Sequence, residues 1–421
     1  MIGLLLAVMI FFLVLNFPMV IPMVAAPLAV MIGFMPNMDI SMAVQQLIAG
    51  VSAQVLLSVP MFILAADIMC AGNTTKRLLD LVETFVGHIH GGMAITTAIT
   101  CTMFGAISGS TQATVVAIGK PMRQRLLKLG YKDSASSGLI INSAIIALLI
   151  PPSISMIMYA VVTGSSVGDL FIAGVGPGIL ILIFFAVYSY FYAKFTNLPR
   201  LKKATWAERG HAFKKAIAPL GFPVIIFVGI YSGFFSPTEA SAVAVLYALI
   251  LELFVFRTIK IKDLHRIALS TAVVTCAVFI LVSGGQLFSW VISYAKIPQL
   301  LTTAILGTSP SAVKILVTVT IFFFIGCMFV DSLVVIIILS PIFYPLAMQA
   351  GINPIHLGII ITLQAAIGSV SPPFGCNIFT GCAIFNRPYL DIVKGIPPYL
   401  IMLLAVTVIV ILCPQLSLFL L

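Results

Sequence analysis

The chain has 421 residues, of which 61% are hydrophobic and only 8% are charged, and its mean hydropathy is +1.20. A soluble domain has roughly 25% charged residues, so this composition excludes a soluble enzyme, a disordered chain and a nucleic-acid-binding protein. Because a helix needs roughly 20 apolar residues to cross a bilayer, the sequence predicts an all-α polytopic membrane protein. The net charge of +10 comes from 22 basic and 12 acidic residues and indicates basic cytoplasmic loops.

The N-terminus begins directly with an apolar run and has neither a basic n-region nor a small-residue cleavage site. We therefore interpret it as a membrane segment and not as a signal peptide. Residues 1–36 form one long tilted helix or, as we prefer, two helices separated near Pro18 to Pro27. The seven cysteines are scattered without C-x-x-C spacing and the five histidines are isolated, so neither a zinc site nor a disulfide framework is predicted.

The distribution of charge predicts the topology of the chain. The basic residues fall mainly into four groups, at 76–77, 120–132, 194–215 and 257–266. By the positive-inside rule these groups are cytoplasmic. The connections without Lys or Arg, which we place on the opposite side, are 37–50, 164–169, 236–239 and 349–356.

Two apolar segments are predicted to be re-entrant helical hairpins. The segment 84–119 has basic groups on both sides, so it enters and leaves from the cytoplasm, and its 36 residues are too few for two full crossings. Its small polar residues at 105–111 form the tip, which must be covered by protein or line a water-filled cavity. The segment 313–347 is the second hairpin, in the opposite direction. The other predicted spans are 138–163, 170–193, 217–235, 240–256, 267–292, 356–384 and 396–421.

The two hairpin regions match each other at an offset of 220–221 residues. Each unit contains a hairpin, a short loop and a helix interrupted by Pro-Pro. Inverted repeats with interrupted helices are typical of secondary transporters whose site lies near the membrane midplane. The matched positions are Gly105 and Gly326, Pro121 and Pro341, Gly130 and Gly351, Pro151-Pro152 and Pro372-Pro373, Gly174 and Gly395, and Pro177 and Pro398.

This repeat predicts a division of the chain into scaffold and transport segments. The segments are 1–83 (scaffold helices), 84–163 (first transport repeat), 164–312 (scaffold and connecting helices), 313–384 (second transport repeat) and 385–421 (C-terminal helix).

The Pro-Pro breaks predict cation sites. A proline within a helix removes an amide donor and displaces the carbonyl four residues earlier, and an unpaired carbonyl in a membrane costs several kcal/mol unless something binds it. We expect Na⁺ at two or more sites, formed by these carbonyls and the hairpin tips; helices that are merely kinked are the alternative. The candidate ligands are Ser108, Gly109, Ser110, Ala147, Leu148, Pro151, Ser153, Gly326, Asp331, Ser332, Gly368, Ser369 and Ser371.

Few acidic residues lie within the apolar spans. Asp331 is the strongest functional candidate, because it lies at the second hairpin tip where the first repeat has Ser110. We expect Glu239 to serve as a structural residue at a helix start, and Asp67 to make a polar packing contact. Glu252 lies one turn from a cytoplasmic helix end, so we expect it to snorkel.

At these residues the chain resembles the large membrane subunit, of DctM type, of tripartite ATP-independent periplasmic (TRAP) transporters. The resemblance covers nearly the whole chain, and its motifs are specific only when taken together. The matching stretches are Gly105–Ser110, Leu149–Ser153, Asp169–Gly174, Phe235–Ala240, Ile338–Phe343 and Gly368–Gly375.

The resemblance implies Na⁺-driven uptake of an organic acid through a bacterial inner membrane by an elevator motion. It also implies a small four-helix membrane subunit and a periplasmic binding protein that delivers the substrate. The implied substrates are C4-dicarboxylates or sugar acids, with sialic acid preferred. Because no isolated Arg or Lys lies deep in the transport region, we expect backbone amides at helix N-termini to bind the carboxylate, with Thr111, Asn142, Asn377 and Thr380 as lining candidates.

Three other functions are alternatives to a transporter subunit that needs partner proteins. A stand-alone Na⁺/dicarboxylate symporter of related architecture would need no binding protein. A membrane-embedded enzyme would need a Ser/His, paired-Asp or metal-ligand constellation inside the spans, and none is apparent in the sequence. A channel would not require mirrored hairpins.

Overall fold

The structure is a computed structural model that describes residues 1–296 and 311–421. Residues 297–310, which fall within the predicted segment 164–312, lie outside the described residues. Throughout the described ranges the regular secondary structure is helical, which confirms the predicted all-α class. Within those ranges, seven helices are long and apolar enough to cross a membrane.

Five helices precede the first hairpin: α1 (Ile2–Val14), α2 (Val20–Phe34), α3 (Ser41–Val51), α4 (Ser58–Ala71) and α5 (Thr74–Val86). The break before α2 confirms the two-helix interpretation of the N-terminus. The prediction that residues 37–50 are only a connection was wrong, because most of them form α3. The amide of Ser41, the first residue of this helix, donates to Asp39 Oδ1 at 2.9 Å.

The first repeat contains α6 (Gly92–Ser108), α7 (Thr111–Lys128), α8 (Asp133–Ala144), a 3₁₀ turn (Ile145–Leu148) and α9 (Ile154–Thr163). The first hairpin, α6 and α7, is therefore shifted from the predicted 84–119. Residues up to Val86 belong to α5, whose apolar side chains lie buried on one face. The last turn of α7 carries Arg125 and Lys128. The distribution of charge predicts a cytoplasmic loop for these residues, so this part of the prediction was wrong.

The middle of the chain contains α10 (Val167–Phe195), α11 (Trp206–Tyr231), α12 (Pro237–Leu249) with a π-helical extension (Ile250–Val255), and α13 (Ile261–Tyr294). These four elements confirm the predicted spans in this region, although α11 and α13 begin several residues earlier than their apolar parts. Helix α3 packs closely on α13, because Ser283 Oγ donates to the Leu47 carbonyl at 2.8 Å.

The second repeat contains α14 (Ala312–Phe329), α15 (Ser332–Gln349), α16 (Pro354–Ser369) and α17 (Cys376–Phe385). The chain ends with α18 (Tyr389–Val393), α19 (Pro397–Leu412) and α20 (Gln415–Leu418). The second hairpin, α14 and α15, has nearly the predicted bounds of 313–347. The helices of the two repeats occur in the same order, and their equivalent starts lie 220–222 residues apart.

Small residues let each hairpin approach the broken helix of its own repeat. A Cβ at Gly105 would lie 2.6 Å from the Cα of Ala147, and a Cβ at Gly368, the position equivalent to Ala147, would overlap Cys327. The repeats also interlock, because α7 packs against α17 and α15 packs against α9. Each hairpin therefore contacts the broken helix of the other repeat as well as its own.

Two acidic residues outside the hairpins, Glu239 and Asp67, have structural partners. Glu239 forms a capping box at the start of α12, and its Oε2 accepts from the Ser236 amide at 2.8 Å. Asp67 accepts a hydrogen bond from Thr271 Oγ1 at 2.9 Å, which confirms a polar packing contact.

The expectation that Glu252 snorkels was wrong. Its side chain is fully buried and accepts hydrogen bonds from Thr74 Oγ1 at 2.8 Å and from Thr258 Oγ1. The carboxylate lies against the Cα of Gly72, where any side chain would overlap it. Because Gly72 has no side chain, it leaves the space that the carboxylate of Glu252 occupies.

Candidate functional site: a cavity between two hairpin tips and two helix breaks

The two hairpin tips have equivalent capping residues. Ser110 is the N-cap of α7 and accepts from the Ala113 amide at 3.4 Å. Asp331 is the N-cap of α15 and its Oδ1 accepts from the Leu333 amide at 2.9 Å. Capping explains why small polar residues occur at both tips, since the first amides of a helix have no partner within it.

The first tip requires glycine for two reasons. Gly109 has φ of +59°, a left-handed conformation that costs an ordinary residue roughly 1–2 kcal/mol. A Cβ at this position would also overlap the carbonyl oxygen of Pro152. The hairpin tip is therefore seated directly on the first Pro-Pro break.

The first break leaves two carbonyls without the amides that would normally bond them. The amides of Leu149 and Ile150 both donate to the Ile146 carbonyl, at 3.0 and 3.1 Å. Pro151 and Pro152 have no amide hydrogen, so the helix does not continue past Ala147 and Leu148. Ser153 then caps α9 by accepting from the Met156 amide at 3.4 Å. This geometry agrees with the predicted release of carbonyls at the first break.

The second break differs from the prediction at Gly368. Its carbonyl accepts from the Ser371 amide at 3.1 Å, because the chain tightens into a turn at the end of α16 and does not simply open. The hydroxyls of Ser369 and Ser371 donate back to the carbonyls of Ala366 and Ile367, at 2.7 and 2.8 Å. Their oxygen lone pairs can still accept from, or coordinate, another group.

Hydrogen bonds connect the tips to the second broken helix. Thr111 Oγ1 donates to Asn377 Oδ1 at 2.9 Å, and Asn377 Nδ2 donates to Ser369 Oγ at 3.4 Å. At the second tip, Ser332 Oγ donates to the Ala365 carbonyl at 3.0 Å. All four side chains on this path are buried, so the first hairpin is fixed against α17 and the second against α16.

A cavity of about 160 Å³, called here the central cavity, lies where these four segments meet. One apolar wall comes from α13, outside both repeats. The lining residues are Gly109, Ser110, Thr111, Gln112, Leu148, Ile154, Ser155, Val274, Val278, Asp331, Ser332, Leu333, Ser369 and Cys376. Among these described residues, Asp331 alone carries a formal charge.

Seven predicted site residues line the central cavity: Gly109, Ser110, Thr111, Leu148, Asp331, Ser332 and Ser369. Asn377 lies behind Thr111 through their hydrogen bond. Asn142 and Thr380 are not brought to the cavity, because each bonds its own helix, through Asn142 Nδ2 to the Gly138 carbonyl at 2.8 Å and Thr380 Oγ1 to the Cys376 carbonyl at 3.0 Å. The other predicted ligands are not among the lining residues: Ser108, Ala147, Pro151, Ser153, Gly326, Gly368 and Ser371.

Three polar lining residues were missed from the sequence: Gln112, Ser155 and Cys376. The internal repeat contained a signal for two of them, because Ser155 and Cys376 are equivalent at the offset of 221 residues. Gln112 follows the tip by two residues and is one helical position beyond Thr111.

The ends of helices give the central cavity its electrostatic character. The first residues of α7, α9, α15 and α17 contribute to its lining, and helix N-termini attract anions. Leu148 and Ser369, at the C-terminal ends of the first halves of the broken helices, contribute too, and such ends attract cations. The cavity therefore has places for both signs of charge without an Arg or Lys in its described lining.

The lining of the central cavity also offers oxygen atoms. Hard cations bind oxygen ligands, and the lining residues have hydroxyls, backbone carbonyls and the Asp331 carboxylate. In the described parts of the chain, no group of three or more His, Cys, Asp or Glu could hold a metal ion.

The solved structure of the YdaH transporter of Alcanivorax borkumensis is similar in fold. Its TM-score is 0.65, with 14% sequence identity over 89% of this chain and 87% of that chain. At this identity the similarity concerns the fold alone.

Relatives at much higher identity are named as TRAP large permeases. The ectoine permease TeaC of Halomonas elongata is 53% identical over 98% of this chain and 97% of its own length. The ectoine/5-hydroxyectoine permease UehC of Ruegeria pomeroyi is 53% identical over 98% of this chain and 96% of its own. The sialic acid permease SiaM of Vibrio cholerae is 33% identical over 90% and 89%.

A family profile described as the DctM component of the tripartite ATP-independent periplasmic transporter matches residues 6–416. This match covers almost the entire chain, and the relatives are named as transport permeases and not as enzymes. The chain therefore belongs to the DctM family of large permease subunits of TRAP transporters.

Proposed function

We propose that this chain is the membrane permease of a Na⁺-coupled system that imports ectoine or 5-hydroxyectoine. The observation that carries the proposal is the central cavity, where four helix N-termini and two C-terminal helix ends meet around Asp331. The names of the 53% identical relatives support ectoine as the substrate. Ectoine replaces our preference for sialic acid, whose named permease is only 33% identical.

The chemistry of the cavity suits a small zwitterion. Ectoine carries one carboxylate and one delocalised positive charge on its ring. Amides at the starts of α7 and α15 supply donors for a carboxylate, and Asp331 supplies a partner for a cationic group or for Na⁺. A cavity of about 160 Å³ is below the roughly 300–1,000 Å³ of drug-sized sites, which favours a compact solute.

The oxygen atoms at the two breaks support Na⁺ coupling. We propose that one ion lies near Ser110 with the carbonyls of Ala147 and Leu148, and a second near Asp331 with Ser369. Coupling arises if bound Na⁺ stabilises the tips around the substrate, because a ligand shifts an equilibrium only by its differential affinity for the two states.

An elevator motion and two partner proteins complete the proposal. The interlocked hairpins and broken helices form one body, whereas Val274 and Val278 of α13 give the cavity an apolar wall on which that body slides. Membership of the family implies a small membrane subunit and a periplasmic binding protein, and we place the assembly in the bacterial inner membrane among its lipids. The alternative is a stand-alone symporter.

Reconstitution separates the two alternatives. Proteoliposomes would contain this chain with or without its small subunit, and labelled ectoine would be offered with or without the binding protein. We expect uptake only with all three proteins, and we expect competition by unlabelled 5-hydroxyectoine but not by sialic acid or succinate. Uptake by this chain alone would overturn the tripartite assembly, and equal competition by sialic acid would overturn the substrate.

A further inference from the structure

A second cavity, of about 210 Å³, lies beside the basic group 120–132, and Lys132 of that group is one of its lining residues. It shares no lining residue with the central cavity, and it is bounded by α6, α8, α10 and α19 and by the segments beside Tyr131 and Lys394. We call it the tyrosine cavity. Its lining residues are Ala94, Tyr131, Lys132, Ser134, Ala135, Leu139, Tyr188, Ser189, Tyr192, Lys394, Gly395, Pro398 and Tyr399.

Four tyrosines whose rings contact one another form one wall of this cavity. Tyr131 stacks on Tyr192 with ring centroids 6.2 Å apart, and Tyr188 contacts Tyr399 edge to face at 5.3 Å. Tyr188 also contacts Tyr192 at 6.0 Å. Tyrosine has an apolar ring and a hydroxyl that seeks a polar partner, and it is enriched where a membrane meets water.

The same cavity has an excess of positive charge. Lys132 immediately precedes α8 and Lys394 follows α18, and both residues line the cavity together with Ser134 and Ala135 of the first turn of α8. The neighbouring Asp133 is held by Arg123 and Arg387, so it does not neutralise Lys132. The Lys394–Asp391 pair is long, at 3.5 Å, and exposed, and an exposed pair of this kind contributes little.

Two buried tyrosine hydroxyls at this cavity have no partner. Tyr131 is 6% exposed and Tyr399 is 4% exposed, both residues line the cavity, and among the described residues neither hydroxyl has a hydrogen-bond partner. Leaving a buried hydroxyl unpaired is unfavourable, so a ligand that accepts its hydrogen bond would relieve this cost. These hydroxyls are an observation independent of the two lysines, and they favour an acceptor inside the cavity.

We propose that the tyrosine cavity binds a phosphoryl group, carried either by a membrane lipid or by a soluble phosphate. A phosphoryl group carries negative charge and offers acceptor oxygens in a tetrahedral arrangement, three in a monoester and two non-bridging ones in a lipid diester. Hydroxyls, two lysines and the first amides of α8 can donate to these oxygens from different directions, whereas the two oxygens of a carboxylate lie in one plane. Since one water occupies about 30 Å³ of liquid, the cavity volume of about 210 Å³ equals that of several waters. The cavity can therefore hold a lipid headgroup, whereas the acyl chains would lie outside it. Binding there joins the first hairpin and first broken helix to α10 and α19.

Thermal unfolding of the purified full chain in detergent tests this site. The probes are dihexanoyl phosphatidylglycerol and inorganic phosphate, each titrated while the unfolding midpoint is recorded. We expect a saturable rise, and a roughly 30-fold weaker apparent Kd in the double variant Lys132→Gln, Lys394→Gln. Lys128→Gln, an exposed lysine of α7 outside the cavity lining, should leave the Kd unchanged.

Tyr399→Phe provides a variant in which folding is not at risk. Because it removes only a hydroxyl that has no partner, the unfolding midpoint without probe should be unchanged or higher, whereas probe binding should weaken about tenfold. A response only to the lipid identifies a headgroup, and a response to inorganic phosphate identifies a soluble ligand. No shift with either probe, or equal shifts in the double variant and in Lys128→Gln, would overturn the proposal.

Discussion

Asp133 connects three parts of the chain through ion pairs with Arg123 and Arg387. Its Oδ1 accepts from Arg123 Nε at 2.6 Å and its Oδ2 from Arg123 Nη2 at 2.8 Å. Arg387, which follows α17, places its Nε 2.8 Å from Oδ2. One carboxylate therefore connects the first hairpin, the start of α8 and the end of the second broken helix.

We predict that Asp133→Asn destabilises the protein by about 2 kcal/mol, or about 30-fold in the unfolding equilibrium. The estimate lies between the values for exposed and buried ion pairs, because the Arg123 side chain is 15% exposed and that of Asp133 is 29% exposed. The amide keeps one acceptor but loses the charge that two guanidinium groups share.

The pH dependence has a defined sign. The hydrogen bond from Arg123 holds the pKa of Asp133 below its usual range. A carboxyl with a lowered pKa contributes stability above the pKa of the unfolded chain, about 3.9, and loses it as the pH falls through the folded value. The difference between wild type and Asp133→Asn should therefore be full at pH 7 and shrink below about pH 4.

Denaturant titration of the detergent-solubilised protein, followed by far-UV circular dichroism, measures this difference. The matched control is Asp391→Asn, which removes the exposed pair with Lys394 at 3.5 Å and should cost at most about 0.5 kcal/mol. Equal losses in the two variants, or a difference that does not change with pH, would refute the assigned role of Asp133.

Three further substitutions test the site and its scaffold. Gly109→Ala should lower ectoine uptake and stability more than Gly233→Ala, because both residues have positive φ but only Gly109 faces a backbone oxygen; equal effects in stability and uptake assays would contradict the tip contact. Glu252→Leu should lower the free energy of unfolding by about 3 kcal/mol in the same denaturant titration, because it leaves two threonine hydroxyls without a partner. An unchanged free energy of unfolding would show that the carboxylate is not needed for stability. Thr111→Val, which loses the bond to Asn377, should slow ectoine uptake in proteoliposomes while costing about 1 kcal/mol; unchanged uptake would remove this pair from the site.

The hairpins and breaks could be predicted because local chemistry determines them. Paired prolines inside an apolar helical segment interrupt the helix, as at Pro151-Pro152 and Pro372-Pro373, and small capping residues such as Ser110 and Asp331 mark the start of the next one. The offset of the repeat then located equivalent elements within one or two residues. The boundary of the first hairpin was missed because α5 is amphipathic, so its apolar face extends the hydropathy signal without being part of the hairpin.

The side-chain contacts of the site could not be predicted in the same way. Thr111 and Asn377 are 266 residues apart, and no local pattern pairs them; Asn142 looked equally suitable. Glu252 was misplaced because its burial depends on Gly72 and on threonines from distant segments. Such contacts are decided by packing in three dimensions, which the periodicity of one helix does not contain.

The Na⁺ dependence of uptake is the most direct test of the central cavity. The initial rate of ectoine uptake would be measured against external Na⁺ in proteoliposomes with both partner proteins, for wild type, Asp331→Asn and Asp39→Asn. Asp39 is a matched control, since it accepts from the amide of Ser41 at 2.9 Å just as Asp331 accepts from the amide of Leu333, also two residues later, at 2.9 Å, but it lies outside the cavity lining. We predict saturable Na⁺ dependence in wild type and Asp39→Asn, and a requirement for about tenfold more Na⁺ in Asp331→Asn. An uptake rate that does not depend on the Na⁺ gradient, or the same Na⁺ dependence in wild type and both variants, would contradict cation binding at the hairpin tip.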